Sequence, residues 1–104
     1  MKQHNYFVYI ITDQNRSVLY TGVTNQLERR LVEHFSERGK SRTFAGGYFC
    51  HNLVFYEKHQ FVNQAIMREK QIKGMKREKK IRLISEFNTD WNFLNGDIMD
   101  WPPY

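Results

Sequence analysis

Five side chains with chemistry to offer stand out by type and by the setting their neighbours imply: Tyr9, Tyr20, Arg30, His34 and Glu69. The carboxylate is the most informative. At about 100° per residue along a helix, Phe61, Ala65 and Ile72 fall within one narrow arc, Ile66 lies to one side, and Glu69 projects between them on the apolar face. A carboxylate buried there without a partner is costly or must stay protonated, so Glu69 should face a cation, an arginine or a water-filled cleft. A salt bridge to a neighbouring Arg or Lys is the ordinary alternative. Arg30 and His34 are four residues apart and share a helix face, where each also reads as solvated surface. Tyr9 and Tyr20 fall in strand-like segments, where a half-buried tyrosine usually serves packing and its hydroxyl bonds to a neighbour.

The elements that must position these groups are legible from periodicity. Tyr6 to Thr12 and Val18 to Val23 are rich in β-branched and aromatic residues, and the polar cluster Asp13, Gln14, Asn15, Arg16 between them predicts a hairpin. Gly22 interrupts the second strand. Thr24 or Asn25 can cap the following helix, with Glu28 completing a capping-box-like start, and Leu27, Leu31 and Phe35 recur every four residues as its buried stripe. Gly39 ends that helix. Residues 39–50 carry three glycines with Lys40 and Arg42 and read as a mobile basic loop. Asn52 to Glu57 is a third strand, and a second helix from near Phe61 to Lys73 carries Glu69. After a stop or kink at Gly74, a basic helical segment runs from Met75 to about Phe87.

The totals bound the partner and the setting. The 104 residues suit one domain, and 40% hydrophobic residues with 15% aromatics are enough for one core. The formal net charge is +5, and between Arg68 and Arg82 there are eight basic residues against Glu69 and Glu78. A polyanion is the partner such charge favours, nucleic acid ahead of a membrane surface. Lone Cys50 excludes an internal disulfide or a thiolate zinc cluster and fits a reducing compartment. The polar start from Met1 to Tyr6 and the short apolar run after it are too brief for a signal segment or a membrane span, so a cytoplasmic protein is expected. Past Arg82 no basic residue occurs. The stretch 89–104 is acidic and aromatic, and its two tryptophans predict a tail packed on the domain formed by residues 1–88.

Spacing joins the five residues. Ten residues separate Tyr9 from Tyr20, Gly22 follows two later, Arg30 eight after that, His34 four further on, and an inward glutamate closes the set. With Phe7-Val8-Tyr9, Tyr20-Thr21-Gly22, the segment from Val23 to Arg30 and AIMREKQIKGMKREKK, the chain resembles the GIY-YIG nuclease superfamily, and within it the short stand-alone bacterial branch. The resemblance covers residues 6–88. It implies an α/β domain of α+β type, a small three-stranded antiparallel sheet flanked by helices, that cleaves phosphodiester bonds with one divalent ion, Mg²⁺ or Mn²⁺. By position, Glu69 would be the metal ligand, since Mg²⁺ keeps several waters and needs only one or two protein oxygens. Tyr20 would be the general base or the group that orients the attacking water, with Tyr9 as its hydrogen-bonded neighbour. Arg30 would favour the phenolate and bond phosphate oxygens. His34 would relay a proton or touch phosphate, and Asn88 would help to order the site.

The basic residues Lys40, Arg42, Arg68, Lys70, Lys73, Lys76, Arg77 and Lys80 would then hold a nucleic-acid backbone without reading its sequence. The leading expectation is a metal-dependent endonuclease acting on DNA ahead of RNA by shape, in the setting of DNA repair or recombination. Two others stand beside it: a nucleic-acid-binding module of the same fold without turnover, and a protein-interaction module that uses the acidic tail to meet a protein partner or a second copy.

Overall fold

The computed structural model describes residues 5–104; Met1–His4, which open the polar N-terminal stretch, lie outside the described residues. Three strands, β1 (Tyr6–Thr12), β2 (Leu19–Thr24) and β3 (Asn52–His59), form an antiparallel sheet in the order β2-β1-β3. Five helices accompany them among the described residues: α1 (Leu27–Ser36), α2 (Phe44–Gly47), α3 (Val62–Lys73), α4 (Arg77–Phe87) and α5 (Asn95–Ile98). This is the α+β architecture expected from the three apolar runs.

The central strand is covered on both faces, which is why β1 reads as an unbroken apolar run instead of alternating with polar residues. Val8 and Ile10 pack with Val54, Phe55, Ala65, Ile72 and Ile84, placing α3 and α4 on one face. Tyr9 and Ile11 point the other way into a second cluster with Leu27, Leu31, Ala45, Cys50 and Leu53, beneath α1 and α2. Between Ile10 and Ile11 the register to β3 slips by one residue, from Phe55 to Leu53, a bulge that leaves Val54 without its own partner on β1.

The hairpin turn is built by one side chain. The Asp13 carboxylate accepts from the backbone N–H of Ser17 (2.7 Å) and Val18 (2.9 Å) and from the Ser17 hydroxyl (2.8 Å). Burial opposes the Asp13 charge, but these donors outweigh it and lower its pKa to about 2.

Three local expectations change. The first helix has Gln26 at its N-cap with no side-chain cap bond, and Thr24 Oγ1 instead accepts from Gln26 N–H at 3.1 Å, so no Asn25–Glu28 capping box forms. Helix α1 stops at Ser36, before Gly39, whose φ of +80° serves the turn that follows. Residues 39–50 are not an open loop. They contain α2, capped by the Thr43 hydroxyl accepting from Gly46 N–H at 3.0 Å, and close with Gly39 N–H to Gly46 carbonyl at 2.8 Å and Cys50 N–H to Ala45 carbonyl at 2.8 Å.

The residues after α4 cross from one layer to the other. Trp91 and Phe93 pack against the α3/α4 layer, and Leu94, Ile98 and Trp101 against the α1 layer. Buried Asn95 clamps this passage to β3, accepting from Leu53 N–H at 2.8 Å and donating to the His51 carbonyl at 2.9 Å.

Candidate active site

Antiparallel register sets Tyr9 directly opposite Gly22. A Cβ at Gly22 would lie 2.5 Å from Tyr9 Cζ, so only glycine lets the tyrosine ring cross the neighbouring strand. The ring thereby reaches α1, where Tyr9 Oη and His34 Nε2 form a buried 2.7 Å hydrogen bond. The His34 ring also meets the rings of Tyr9 and Tyr20 edge-on, with centroids 5.7 and 5.4 Å apart. The hydroxyl partner of Tyr9 is therefore His34, where a bond to Tyr20 was expected.

Burial fixes the charge states of this pair. Tyr9 is 1% exposed, and burial drives its pKa well above the usual tyrosine value despite the opposing pull of Arg30. His34 is 2% exposed, and burial, aided by Arg30 and His51, lowers its pKa to about 4. Near neutrality Tyr9 is a hydroxyl and His34 an uncharged imidazole. Arg30 lies one turn earlier on the same helix face, its Nη1 3.2 Å from Glu33 Oε1. Burial works against its charge, but Tyr9, Glu33 and Tyr20 outweigh that and raise its pKa. The guanidinium is thus held beside both tyrosines, with its side chain one-third exposed.

Glu69 approaches from the opposite layer. The apolar arc on α3 is narrower than predicted: Ala65 and Ile72 are fully buried, whereas Phe61 is the N-cap residue and 58% exposed, and Ile66 is 39% exposed. Glu69 lies between the two buried residues, its side chain 16% exposed, and Oε2 stands 3.4 Å from Lys73 Nζ. The same Lys73 ammonium is 6.0 Å from the Tyr20 ring centroid. Lys73 therefore joins the α3 carboxylate to the tyrosine cluster at the β2 edge of the sheet. The pair is the ordinary salt bridge that the helix spacing allowed, yet an i,i+4 pair with a half-exposed lysine is worth only about 0.3–0.5 kcal/mol, too little to bar a divalent cation.

No group of three His, Cys, Asp or Glu residues able to enclose a metal occurs among the described residues. A single partly exposed carboxylate fits Mg²⁺, which retains most of its waters, and does not fit zinc, which needs three or four protein ligands.

The other expected residues divide. Asn88 spends its whole side chain on the fold: Nδ2 donates to the Val54 carbonyl (3.1 Å) and the Asn92 carbonyl (2.9 Å), and Oδ1 accepts from Asn92 N–H (3.1 Å). It ties the end of α4 to β3. Arg68, expected at a phosphate, is engaged by Glu57 at 2.7 Å and Gln71 at 2.8 Å, and Arg77 donates to the Ser17 carbonyl at 2.6 Å. Lys70 and Lys76, joined by Lys79, line a shallow groove of about 460 Å³ where α3 meets α4. Lys40 and Arg42 are exposed beside α2, and Lys80 is half-buried on α4. A larger groove of about 540 Å³ lies at the start of α1, lined by Phe7, Leu27, Arg29 and Ile98 among others, away from the tyrosines. Sequence reasoning missed two contributors: Lys73 as the link between Glu69 and Tyr20, and His51, whose ring packs on Phe35 at 5.2 Å and whose charge bears on His34. The i,i+4 spacing of Glu69 and Lys73 was the available signal for the first.

The family model described as the GIY-YIG catalytic domain matches residues 5–82, which spans both tyrosines, Arg30, His34 and Glu69. The chain belongs to the GIY-YIG nuclease family. Among its relatives, a UPF0213 protein of Haloquadratum walsbyi is 38% identical over 87 residues, covering 84% of this chain and 93% of the relative. A UPF0213 protein of Natronomonas pharaonis is 33% identical over 82 residues, covering 79% and 93%. The solution NMR structure of a UPF0213 protein from Bacillus halodurans superposes with a TM-score of 0.50 at 32% identity, covering 78% of this chain and 83% of that one. The three-stranded antiparallel sheet with flanking helices matches the fold of the Bacillus halodurans protein. Among the described residues no helix is long and apolar enough to cross a membrane.

Proposed function

We propose that this GIY-YIG protein is a Mg²⁺-dependent endonuclease that hydrolyses phosphodiester bonds, in DNA ahead of RNA, by backbone shape and not by sequence. The observation that carries the proposal is the convergence on Lys73 of Glu69 from one layer and Tyr20 from the other, next to Arg30. A divalent ion at Glu69, with Mn²⁺ able to replace Mg²⁺, would supply charge stabilisation at the scissile phosphate and the leaving oxygen.

The chain's own groups take distinct parts. Tyr20 is the tyrosine that meets the attacking water and holds or accepts its proton, because Tyr9 is buried, bonded to His34 and disfavoured as a phenolate. Arg30 offers two N–H donors to the phosphoryl oxygens as charge builds. Tyr9 and His34 position the Tyr20 ring. Burial of His34 leaves it the proton-relay part of its expected role and no direct phosphate contact. Asn88 acts on the site only through the fold.

Lys70, Lys73, Lys76 and Lys80 on α3 and α4, with Lys40 and Arg42 beyond α1, supply backbone contacts of the salt-sensitive kind. Their spread over two helices and a loop suits branched or flapped substrates, such as those of repair or recombination. The absence of an internal disulfide fits a cytoplasmic setting. One observation favours a second reading, a binding module without turnover: Glu69 already carries a cationic partner in Lys73.

The deciding experiment offers labelled single-stranded, duplex, branched and flapped DNA and RNA to the purified protein with Mg²⁺ or with EDTA. Metal-dependent cleavage that Glu69→Gln abolishes is expected. No cleavage under any condition, with nucleic-acid binding unaltered in Glu69→Ala, would overturn the nuclease and leave the binding module.

A further inference from the structure

The segment after α1 exposes three aromatic rings in six residues. Phe44, Tyr48 and Phe49 are 56%, 54% and 54% exposed. Phe44, which opens α2, and Tyr48, its C-cap residue, pair with ring centroids 4.8 Å apart and planes tilted by 46°. Phe49 is a bulky residue at φ +58°, a left-handed conformation that costs about 1–2 kcal/mol for a residue with a Cβ. Hydrogen bonds from Phe49 N–H to the Gly46 carbonyl (3.1 Å) and from Cys50 N–H to the Ala45 carbonyl (2.8 Å) hold the backbone in that state. These two bonds close the C-terminus of α2 with Phe49 as its left-handed cap, and they leave the Phe49 ring lying against Gly39 with about half of its surface in solvent while Cys50, the next residue, enters the core.

The surroundings indicate a ligand. Basic Lys40 and Arg42, both exposed, sit on the chain that packs directly against α2: Gly39 N–H bonds the Gly46 carbonyl at 2.8 Å, and a Cβ on Gly46 would lie 2.7 Å from the Lys40 carbonyl. No acidic residue occurs from Arg38 to Tyr56. Aromatic faces bordered by cations suit a chain of flat rings strung on phosphates. The element is fixed to the helix that bears Arg30 and His34, since Thr43 Oγ1 bonds Glu37 Oε2 at 3.1 Å and a Gly46 Cβ would meet the Glu37 carbonyl.

We infer that Phe44, Tyr48 and Phe49 form a stacking platform for unpaired bases, with Lys40 and Arg42 on the adjoining phosphates, so that the protein selects substrates with a single-stranded segment. The inference rests on the nucleic-acid reading of the site and narrows its substrate to flaps, ends or loops. A duplex keeps its bases stacked on each other and gains nothing from the platform.

The test measures binding of labelled oligothymidylate and of a labelled blunt duplex by anisotropy in EDTA, for wild type, Phe44→Ala, Tyr48→Ala and the double variant Phe44→Leu/Tyr48→Leu. The leucine pair keeps an apolar surface and removes only the aromatic faces, and thermal melts verify that it folds. Expected is a loss of at least about fivefold for oligothymidylate in each variant, with duplex affinity unchanged. Leucine variants that bind oligothymidylate like wild type, or that lose both ligands equally, overturn the platform. Cleavage assays separate this from the catalytic proposal. Aromatic-dependent binding without Mg²⁺-dependent cutting removes the nuclease and keeps the platform, whereas flap cutting unaffected by the leucine pair removes the platform alone.

Discussion

The ring of Tyr9 lies across Gly22 on the neighbouring strand, so close that a methyl group at Gly22 would overlap it. That contact lets the Tyr9 hydroxyl reach His34 on α1 and so sets the geometry of the whole cluster. Gly22→Ala should destabilise the protein by about 1–3 kcal/mol, the usual cost of overpacking a tight core, and should abolish cleavage. The same substitution in a Tyr9→Leu background should cost much less, because the overlapping ring is gone. Urea unfolding of the four proteins of this cycle measures the difference, and additive losses would sink the explanation.

Stability should fall at acid pH through His34. Its pKa is about 4 in the folded protein against about 6.5 when unfolded, so the unfolded chain takes up the proton more readily. The contribution is fully present above about pH 6.5 and is lost as pH falls toward 4, amounting to about 3 kcal/mol if no other group compensates. Urea melts at pH 7 and 4.5 for wild type and His34→Asn check it. A wild-type acid loss no larger than the variant's would contradict the buried neutral imidazole.

Arg30 is held beside the tyrosines but carries little of the fold, since its one ion pair, with Glu33, is on the surface. Arg30→Lys keeps the charge and loses the paired donors. Cleavage should drop by about 10²-fold or more, the scale for losing an aimed transition-state donor, while the melting temperature stays close to wild type. A comparable loss of stability would point to a structural role instead.

Removing the Lys73 ammonium leaves Glu69 without its cationic partner. Lys73→Met should therefore lower the Mg²⁺ concentration that gives half-maximal cleavage. Stability should change by no more than about 0.5 kcal/mol, as for other exposed i,i+4 pairs. A rise in the Mg²⁺ requirement would show that Lys73 assists the ion instead of competing with it.

Asn88 clamps α4, β3 and the start of the tail through three hydrogen bonds. Asn88→Ala strands buried backbone partners and should cost about 2 kcal/mol or more. Deleting residues 89–104 should lower the melting temperature further, since Trp91 and Trp101 would leave opposite layers of the core. Retention of wild-type stability by the deletion would favour a tail free to serve as a contact surface.

The sequence by itself determined the strands and the two long helices on which Arg30 and Glu69 lie, because alternation and the 3.6-residue period are local, and it put forward the tyrosines, Arg30 and Glu69 as candidates through their linear spacing. Glu69 was marked by its apolar neighbours before any fold was known. Local pattern failed where a distant contact decided the outcome. Phe61 fits the helical stripe yet is exposed, because α3 begins only after it, and α1 starts with Gln26 at its N-cap in place of Thr24 or Asn25. The eight basic residues of α3 and α4 looked equivalent in line, but Glu57 engages Arg68, the Ser17 carbonyl engages Arg77 and Glu69 engages Lys73. Only the tertiary structure chose His34 as the partner of Tyr9, since that choice depends on Gly22 opening a path across the β1–β2 pair. It also decided the protonation of both groups, because burial is a property of the packed layers and no spacing encodes it.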